Sequence, residues 1–407
     1  MSTASAVNAP LLAEGKLGPL HTRNRLVRSG TSETMAGPDG EVTEELVALY
    51  ERLARGGVGM IFTGHLYCHE RGKYLRRQTG IHNDQLVGGL RRLAEAVHRA
   101  GGLVAAQIAH AGSQSRVRAV EPLAPSAVPN ALTGRPVPAA SGEEISEAVE
   151  AFAAAARRAV EAGFDGVHIH AANGYLISES LSPLTNRRDD DWGGDAERRF
   201  RFALEVIRAV RAVVPRDRVL TIKLGVVDAP SGGLGLEQSI PLAERAVQAG
   251  VDAIEVSCGV MVRIGDSARE YVAVDRRRAA ADLLLHRVLS PPADEAYFMP
   301  WARELSARVN TTIVAVGGMR RTATMCSLLE SGDADFIAMA RPYIREPDLA
   351  AQLARGRTGR VDCTSCNLCL RHEGHHSLRC WRTPRRRLFQ HAIYRATGSF
   401  RRSLPAD

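Results

Sequence analysis

The chain has 407 residues, of which 45% are hydrophobic and 24% are charged, a composition typical of a globular protein with a well-buried core. The sequence contains no run of about 18 uncharged apolar residues, which argues against a membrane span. Its first residues lack a basic start followed by an apolar stretch, so we find no secretory signal and expect a cytoplasmic protein.

The formal net charge is +8, but the positive charge belongs to the last part of the chain. Residues 355–407 hold 12 Arg, no Lys and three acidic residues, so the rest of the chain is close to neutral. Because the basic residues are confined to this tail, we do not expect a nucleic-acid-binding protein. We interpret the tail as a solvated arm, with contact to an acidic partner or a phosphate as the alternative.

Short apolar runs alternate with longer amphipathic stretches along the chain. The predicted strands, in order, are 26–31, 58–64, 103–110, 164–170, 219–225, 252–258, 311–318 and 335–341. Predicted helices between them include 44–57, 85–102, 147–163 and 196–214. Eight such units predict an α/β protein with a (β/α)8 TIM barrel. A doubly wound sheet is the alternative, but no G-x-G-x-x-G motif follows the first strand.

The barrel pattern ends near residue 355. We therefore predict two parts, a barrel over 1–355 and a short Cys- and Arg-rich extension over 356–407. Two connections, 112–143 and 259–297, are longer than a minimal barrel needs and follow the third and sixth strands. Loops on this face of a barrel build lids and pockets, so we expect the second loop to decide the substrate, which its sequence does not reveal.

Glycine and arginine follow the last two predicted strands. Gly317 and Gly318 end the seventh strand, and Ala340 and Arg341 end the eighth. Paired glycines let backbone N–H groups approach an anion, the next helix points its positive end there, and an arginine adds a bidentate contact. The position after strands seven and eight favours a phosphate site over a plain turn with a surface arginine.

Polar residues also interrupt strands that are otherwise apolar. Lys223 lies in VLTIKLG, and Gln107 lies in VAAQIAH. A buried lysine needs an anionic partner, and a cation beside an amide suits a heterocycle with carbonyl groups and delocalised negative charge. The alternative is a lysine that pairs with an Asp or Glu on a neighbouring strand.

A histidine, an amide and a phenol follow the fourth predicted strand. His170 and Asn173 are spaced to converge as two hydrogen-bond donors on one carbonyl oxygen, where they would stabilise an enolate. Tyr175 carries a proton at neutral pH and is a candidate proton donor to the neighbouring carbon. The three residue types within six positions favour a catalytic site over structural roles.

At these residues the sequence resembles the Old Yellow Enzyme family of FMN-dependent ene-reductases. The stretch HAANGYLISESLSPLTNRRDDDWGG carries the resemblance, together with NRLVRSGTSE, GGVGMIFTG, AAQIAHAG and AMARPYIREP. The resemblance implies FMN as cofactor and NAD(P)H as electron donor. It places residues 29–31 (Ser29, Gly30 and Thr31) along the flavin ring, Gln107 and Lys223 at its polar edge, and Gly317, Gly318, Ala340 and Arg341 at its phosphate.

The resemblance also assigns the substrate site. It makes His170 and Asn173 the ligands of the substrate carbonyl and Tyr175 the proton donor. The sequence departs from the family at several positions: Asn173 stands where many relatives have histidine, and His65 where a small residue is common. His168 stands where Glu is frequent, and we expect its side chain on the opposite side of the strand from the pocket, with no catalytic role.

Four of the seven cysteines form a cluster near the end of the chain. Cys363, Cys366, Cys369 and Cys380 give the spacing C-x2-C-x2-C-x10-C, which fits the ligands of a [4Fe–4S] cluster. The segment resembles the one that follows the barrel in trimethylamine dehydrogenase and 2,4-dienoyl-CoA reductase. Zinc is a second candidate, with nearby histidines as further ligands, and a reduced cluster of thiols without metal is the third.

These observations predict an FMN-dependent oxidoreductase that reduces activated C=C bonds of enones or related compounds with NAD(P)H. One alternative is an iron–sulfur flavoprotein dehydrogenase that oxidises an amine or a ring substrate with a separate electron-transfer protein. An alternative of another class is a non-catalytic barrel that binds a partner. We also expect a small-molecule substrate, a homo-oligomer, and no nucleic-acid or membrane partner.

Overall fold

The computed structural model describes residues 7–130, 134–261, 295–365 and 368–382. The strands β1–β11 are Gly15–Leu17, Leu20–Thr22, Leu26–Arg28, Met60–Phe62, Leu66–Tyr67, Val104–Ala109, Gly166–Ala171, Val219–Val227, Ala253–Cys258, Thr312–Ala315 and Phe336–Met339. The helices α1–α12 are Ala9–Leu12, Glu44–Arg55, Val87–Arg99, Gly142–Glu161, Leu176–Leu181, Ala196–Val213, Leu236–Gln248, Met299–Arg308, Thr322–Glu330, Arg341–Arg345, Leu349–Ala354 and Leu368–Arg371.

Eight parallel strands, β3, β4 and β6–β11, close into a barrel because β4 pairs with both β3 and β6. Each of the eight predicted strands overlaps one of these, so the predicted barrel is confirmed and a doubly wound sheet is excluded. The short strand β5 follows β4 in the chain and pairs in parallel with β6. Strands β1 and β2 form an antiparallel hairpin. The predicted long helices correspond to α2, α3, α4 and α6.

The helices begin where the sequence supplies N-cap side chains. The Thr43 hydroxyl accepts a hydrogen bond from Leu46 N at α2, and the Asp195 carboxylate accepts one from Arg198 N at α6. At α4, Ser141 and Glu144 form a capping box. The buried faces of these helices cover the outside of the barrel in one apolar cluster. The helices therefore hold the strands in a fixed frame.

A second apolar cluster fills the inside of the barrel. Leu17 from the β1–β2 hairpin closes its amino-terminal end, and side chains such as Phe62 and Val219 lie above it. Polar side chains such as Glu255, Lys223 and Ser29 lie further toward the carboxyl ends of the strands. The interior packing therefore leaves the carboxyl end as the place for a site.

The described part of the C-terminal extension lies against the carboxyl-end face of the barrel. Thr34 Oγ1 donates to the carbonyl of His376 at 2.5 Å, and Leu378 N donates to the carbonyl of Glu33 at 2.8 Å. The division at residue 355 stays a prediction. The 259–297 loop lies mostly outside the described residues, which leave out 262–294.

Among the described helices, none combines the length and the apolar character that a membrane crossing requires.

Candidate active site

One cavity of about 410 Å³ opens at the carboxyl end of the barrel. All twelve residues predicted for catalysis and cofactor binding line it: Ser29, Gly30, Thr31, Gln107, His170, Asn173, Tyr175, Lys223, Gly317, Gly318, Ala340 and Arg341. They come from six separate parts of the chain. The closed barrel alone brings them together.

His170 and Asn173 present two hydrogen-bond donors to this cavity. His170 Nδ1 accepts a hydrogen bond from Ala172 N at 3.3 Å, so in the neutral ring the proton is on Nε2. Burial is the main cause that holds the pKa of His170 well below its ordinary value. Ser257 Oγ donates to Asn173 Oδ1 at 3.4 Å, which leaves the amide N–H groups for a ligand.

The backbone of Asn173 is fixed by its neighbours. Its φ of +58° is left-handed, a conformation that asparagine tolerates better than most residues. Its N–H donates to the carbonyl of Cys258 at 2.9 Å, and Gln114 Nε2 donates to the Asn173 carbonyl at 2.7 Å. The amide is therefore held at the strand end by two adjacent elements.

Tyr175 lies in a cluster of aromatic rings at the cavity wall. Its ring centroid is 4.7 Å from that of His170, 5.4 Å from that of His65 and 5.6 Å from that of Tyr74. Burial is the first cause that raises the pKa of the Tyr175 phenol well above its ordinary value. The phenol therefore keeps its proton at neutral pH. No local sequence pattern indicates a role for Tyr74.

Lys223 pairs with a carboxylate on the next strand and also lines the cavity. Its Nζ lies 3.2 Å from Glu255 Oε1 and 3.0 Å from Ser29 Oγ, which donates to Glu255 at 2.5 Å. The predicted alternative, in which Lys223 pairs with an acidic residue on a neighbouring strand, is thus correct. Lys223 nevertheless also lines the cavity. Although burial opposes it, the charge of Lys223 holds the pKa of the Glu255 carboxyl well below its usual range.

The expected orientation of His168 is wrong. His168 and His170 are two residues apart on β7, so both side chains point into the barrel. His168 lies one layer deeper, stacked on Phe62 with centroids 4.0 Å apart, and its Nε2 lies 3.0 Å from Glu255 Oε2. It supports the carboxylate beneath the cavity and does not line the cavity itself.

Arginines and glycines form the end of the cavity near β10 and β11. Gly317 and Gly318 have φ values of +111° and +71°, which side chains other than glycine rarely adopt. Arg341 lines this end together with Arg320. Arg320 was not predicted as a site residue, although it follows the Gly-Gly-Met turn. Arg320 is 3% exposed, and its Nε has no hydrogen-bond partner within the described residues.

The buried guanidinium group of Arg320 lies close to the half-buried guanidinium group of Arg341. Desolvation is the largest cause that lowers the pKa of Arg320, and the charge of Arg341 lowers it further. Bringing two like charges together in a partly buried site is unfavourable unless an anionic group compensates them. This end of the cavity is therefore suited to a phosphate.

The cavity wall at Gly30 and Gln107 has no room for a larger side chain, and it contains a buried amide N–H group without an acceptor among the described residues. A Cβ atom on Gly30 would lie 2.5 Å from Gln107 Oε1 and 2.7 Å from the Thr63 carbonyl, so only glycine fits. Gln107 Nε2 is buried, and no acceptor for it is found in the parts of the chain described. A flat ligand with a carbonyl acceptor would satisfy this donor.

The C-terminal extension contributes to the same cavity. Leu370, Glu373 and Leu378 line it, together with Cys369 of the predicted metal site. Burial raises the pKa of the Glu373 carboxyl, which hydrogen-bonds to Ser32. Glu373 was not predicted as a site residue, because nothing near it in sequence indicates that residues 368–382 fold back over the barrel.

The cysteine cluster lies next to this cavity. Cys363, Cys369 and Cys380 line a second cavity of about 20 Å³, and Cys366 falls outside the described residues. No group of three or more His, Cys, Asp or Glu side chains that could hold a metal ion occurs among the residues described. Burial raises the pKa of the Cys380 thiol.

Residues 11–359 match the model of the NADH:flavin oxidoreductase / NADH oxidase family. The chain is 33% identical to an NADH oxidase of Thermoanaerobacter brockii over 88% of this chain and 53% of the relative, so it spans about half the length of that protein. It is 32% identical to a 4,4'-dithiodibutanoate disulfide reductase of Rhodococcus erythropolis over 90% of this chain and 93% of the relative.

Solved structures agree with this match. A 2-naphthoyl-CoA reductase in complex with 2-naphthoyl-CoA superposes with a TM-score of 0.82 at 25% identity, over 94% of this chain and 58% of that one. An Old Yellow Enzyme homologue from Zymomonas mobilis superposes with a TM-score of 0.70 at 25% identity, over 88% and 95%. The chain therefore belongs to the NADH:flavin oxidoreductase / NADH oxidase family, the family of Old Yellow Enzyme.

Proposed function

We propose that this protein reduces activated C=C bonds of enones or related conjugated compounds, with FMN as cofactor and NAD(P)H as electron donor. The observation that carries the proposal is the set of two donors, His170 Nε2–H and the Asn173 amide, beside the protonated phenol of Tyr175 in one cavity. Two donors on a carbonyl oxygen stabilise the negative charge that develops there when a hydride adds to the alkene.

The cavity residues fit FMN in three ways. Gly317, Gly318, Ala340 and Arg341, with Arg320, would hold the phosphate. The Arg320 guanidinium is buried, its Nε has no partner among the described residues, and the like charge of Arg341 lies close to it. The unsatisfied Gln107 amide and Lys223 would contact the polar edge of the ring. Ser29, Gly30 and Thr31 would lie along the ring, where Gly30 allows close approach. The bound cofactor supplies the hydride.

The substrate would bind with its carbonyl oxygen between His170 and Asn173. Both groups are neutral donors, so they polarise the carbonyl without taking part in proton transfer. Tyr175 would then give its proton to the carbon next to the carbonyl. Reduction of the alkene takes one hydride and this one proton.

Anaerobic half-reactions test this proposal. The purified protein is reduced with NADPH or NADH, and the reoxidation of its flavin by 2-cyclohexenone is followed by absorbance. We expect rapid reoxidation, slowed about 10²–10³-fold by His170→Ala or Asn173→Ala, the range for an oxyanion-hole donor. A purified protein without flavin, or an enone rate unchanged in both variants, would contradict the proposal.

Two relatives suggest further substrates for the same experiment. One relative is a 2-naphthoyl-CoA reductase and one reduces 4,4'-dithiodibutanoate. Reoxidation of the flavin by an aromatic acyl-CoA would agree with the proposed class of reaction and would add a class of substrate. Reoxidation by the disulfide but by no enone would overturn the proposal. Flavin reduction by an amine, with no reduction by either nicotinamide, would favour the oxidative alternative.

We also propose that Cys363, Cys366, Cys369 and Cys380 hold an iron–sulfur cluster. Support comes from their spacing and from the small cavity that three of them share with Arg341, Arg345 and Arg382, whose charges would offset the negative charge of thiolates. Anaerobic protein should then contain about four irons and four sulfides per chain. Cys363→Ser should lower that content, and Cys326→Ser, which changes a buried cysteine elsewhere, should not.

Protein that contains zinc without iron, or neither metal, would contradict the proposed iron–sulfur cluster. A separate electron-transfer protein, a homo-oligomer and a cytoplasmic location remain predictions from the sequence.

A further inference from the structure

His65 lies at the cavity wall beside the proposed proton donor, and neither the proposed chemistry nor the comparisons assign it a role. It follows β4, is 7% exposed, and its ring makes edge contacts with Tyr74, His170 and Tyr175. Its Nε2 is 3.5 Å from the Tyr175 hydroxyl oxygen, at the long limit of a hydrogen bond. Which atom donates depends on the tautomer of the ring.

Gln78 fixes that tautomer. Tyr74 N donates to Gln78 Oε1 at 2.6 Å, so the oxygen end of the amide faces a backbone donor. The nitrogen end then faces His65, where Gln78 Nε2 lies 2.9 Å from the His65 carbonyl and 2.6 Å from His65 Nδ1. If the amide were flipped, its NH2 group would face the Tyr74 N–H, which is also a donor. Its oxygen would face the His65 carbonyl, which is also an acceptor. Nδ1 is therefore an acceptor, and the neutral ring carries its proton on Nε2.

The ring is also neutral. Burial lowers the pKa of His65 from its ordinary value to about 4. Nε2–H consequently points at the phenolic oxygen of Tyr175 and can only donate. Since that oxygen already accepts a hydrogen bond, the Tyr175 O–H is left to donate toward the cavity.

We propose that His65 is a positioning residue that donates a hydrogen bond to Tyr175, directs its O–H at the substrate and stabilises the phenolate formed when the proton leaves. The inference rests on the proposed function, in which Tyr175 is the proton donor. The 3.5 Å contact shortens when the oxygen becomes an anion, because hydrogen bonds to charged groups are shorter and stronger.

The step balances without a further reactant. The O–H bond of Tyr175 breaks and a C–H bond forms at the carbon next to the carbonyl, while the hydride from reduced flavin forms the other C–H bond. The alkene is reduced, the flavin is oxidised, and the Tyr175 phenolate later regains a proton from water. His65 keeps its own proton throughout.

A double-mutant cycle tests this role. His65→Phe keeps a ring but removes the donor, and it should slow flavin reoxidation by 2-cyclohexenone about tenfold to a hundredfold, the range for a hydrogen bond to a charged group. His65→Gln, which retains an N–H donor, should recover most of the rate. In a Tyr175→Phe background the His65→Phe change should add less than about twofold, because the two act through one bond.

Flavin reduction by NADPH and flavin retention serve as controls for folding in each variant. His69→Phe, which changes a histidine that does not line the cavity, should leave both half-reactions unchanged. Full additivity of the two changes, or a Gln variant as slow as the Phe variant, would overturn the inference.

A second readout does not depend on turnover. In protein with 15N-labelled histidine, the signal that disappears in His65→Phe should be that of an Nε2–H tautomer and should stay unchanged from pH 8 to pH 6. An Nδ1–H tautomer or titration in this range would overturn the inference. If Tyr175→Phe itself leaves the enone rate unchanged, the proposed proton donor is wrong. The tautomer of His65 is measured independently of that rate.

Discussion

The buried charges under the cavity balance one another residue by residue. Glu255 accepts hydrogen bonds from Ser29 and Lys223 with one oxygen and from His168 with the other. A buried carboxylate with this many donors is stable as an anion, and it fixes the lysine head group at the cavity. Glu255 interrupts the apolar strand DAIEVSC just as Lys223 interrupts its own, so the same signal could have identified it.

The two arginines at the other end give a prediction at this scale. Arg320→Ala should weaken FMN retention by about 1.5–3 kcal/mol, the loss expected for a charge-assisted phosphate contact. Its neighbour Arg321 is 62% exposed and pairs with Glu295, so Arg321→Ala should leave retention unchanged. Dissociation constants from flavin fluorescence would measure both, and equal retention in the two variants would show that Arg320 does not contact the phosphate.

At the scale of elements, apolar periodicity predicted all eight barrel strands. The structure ends several strands earlier than predicted, because residues such as Ser29 and Gly30 leave the sheet to line the cavity. Strand-end residues were predictable because the carboxyl ends of a barrel meet on one face. Tyr74 and Glu373 were not, because they reach the cavity through loops whose path depends on tertiary contacts.

The C-terminal element gives a second prediction. A chain that ends after Ser365 loses Leu370, Glu373 and Leu378 from the cavity wall, whereas a chain that ends after Arg382 keeps them. The shorter chain should show about a tenfold higher KM for enones, since one lost apolar contact of leucine size costs about 1.5–3 kcal/mol. The longer truncation should match the full chain. Steady-state kinetics would decide, and equal KM values would mean that the segment does not shape the substrate site.

At the scale of the whole molecule, the buried histidines link stability to pH. Burial lowers the pKa of His65 to about 4 and of His110 to about 3, and it also lowers the pKa values of His168 and His170. In the unfolded chain each would bind a proton near pH 6.5. Between pH 6.5 and 5 the unfolded state therefore binds more protons, and the folded state loses stability as the pH falls.

Buried or half-buried carboxyl groups act in the opposite direction, because burial raises the pKa values of Glu179, Glu373, Asp228 and Asp252. Burial raises the pKa of Glu179 to about 8, so its proton is bound in the folded state and released on unfolding between about pH 4.5 and 8. Glu179 alone offsets about one of the four histidines. The net effect should be a lower free energy of unfolding at pH 5.5 than at pH 7, with each histidine contributing up to about 1.4 kcal/mol per pH unit. Urea unfolding at the two pH values measures it, and equal or higher stability at pH 5.5 would contradict the buried neutral histidines.

The proposed reaction delivers a hydride and a proton to two different carbons of an activated alkene. The most direct measurement is the position of deuterium in the product of 2-cyclohexenone. With NADPH that carries deuterium at the transferred position, in ordinary water, we expect deuterium on the carbon distant from the carbonyl. With ordinary NADPH in D2O, we expect one deuterium added by the enzyme next to the carbonyl, after correction for exchange. Label from NADPH next to the carbonyl, or no saturated ketone at all, would contradict the account.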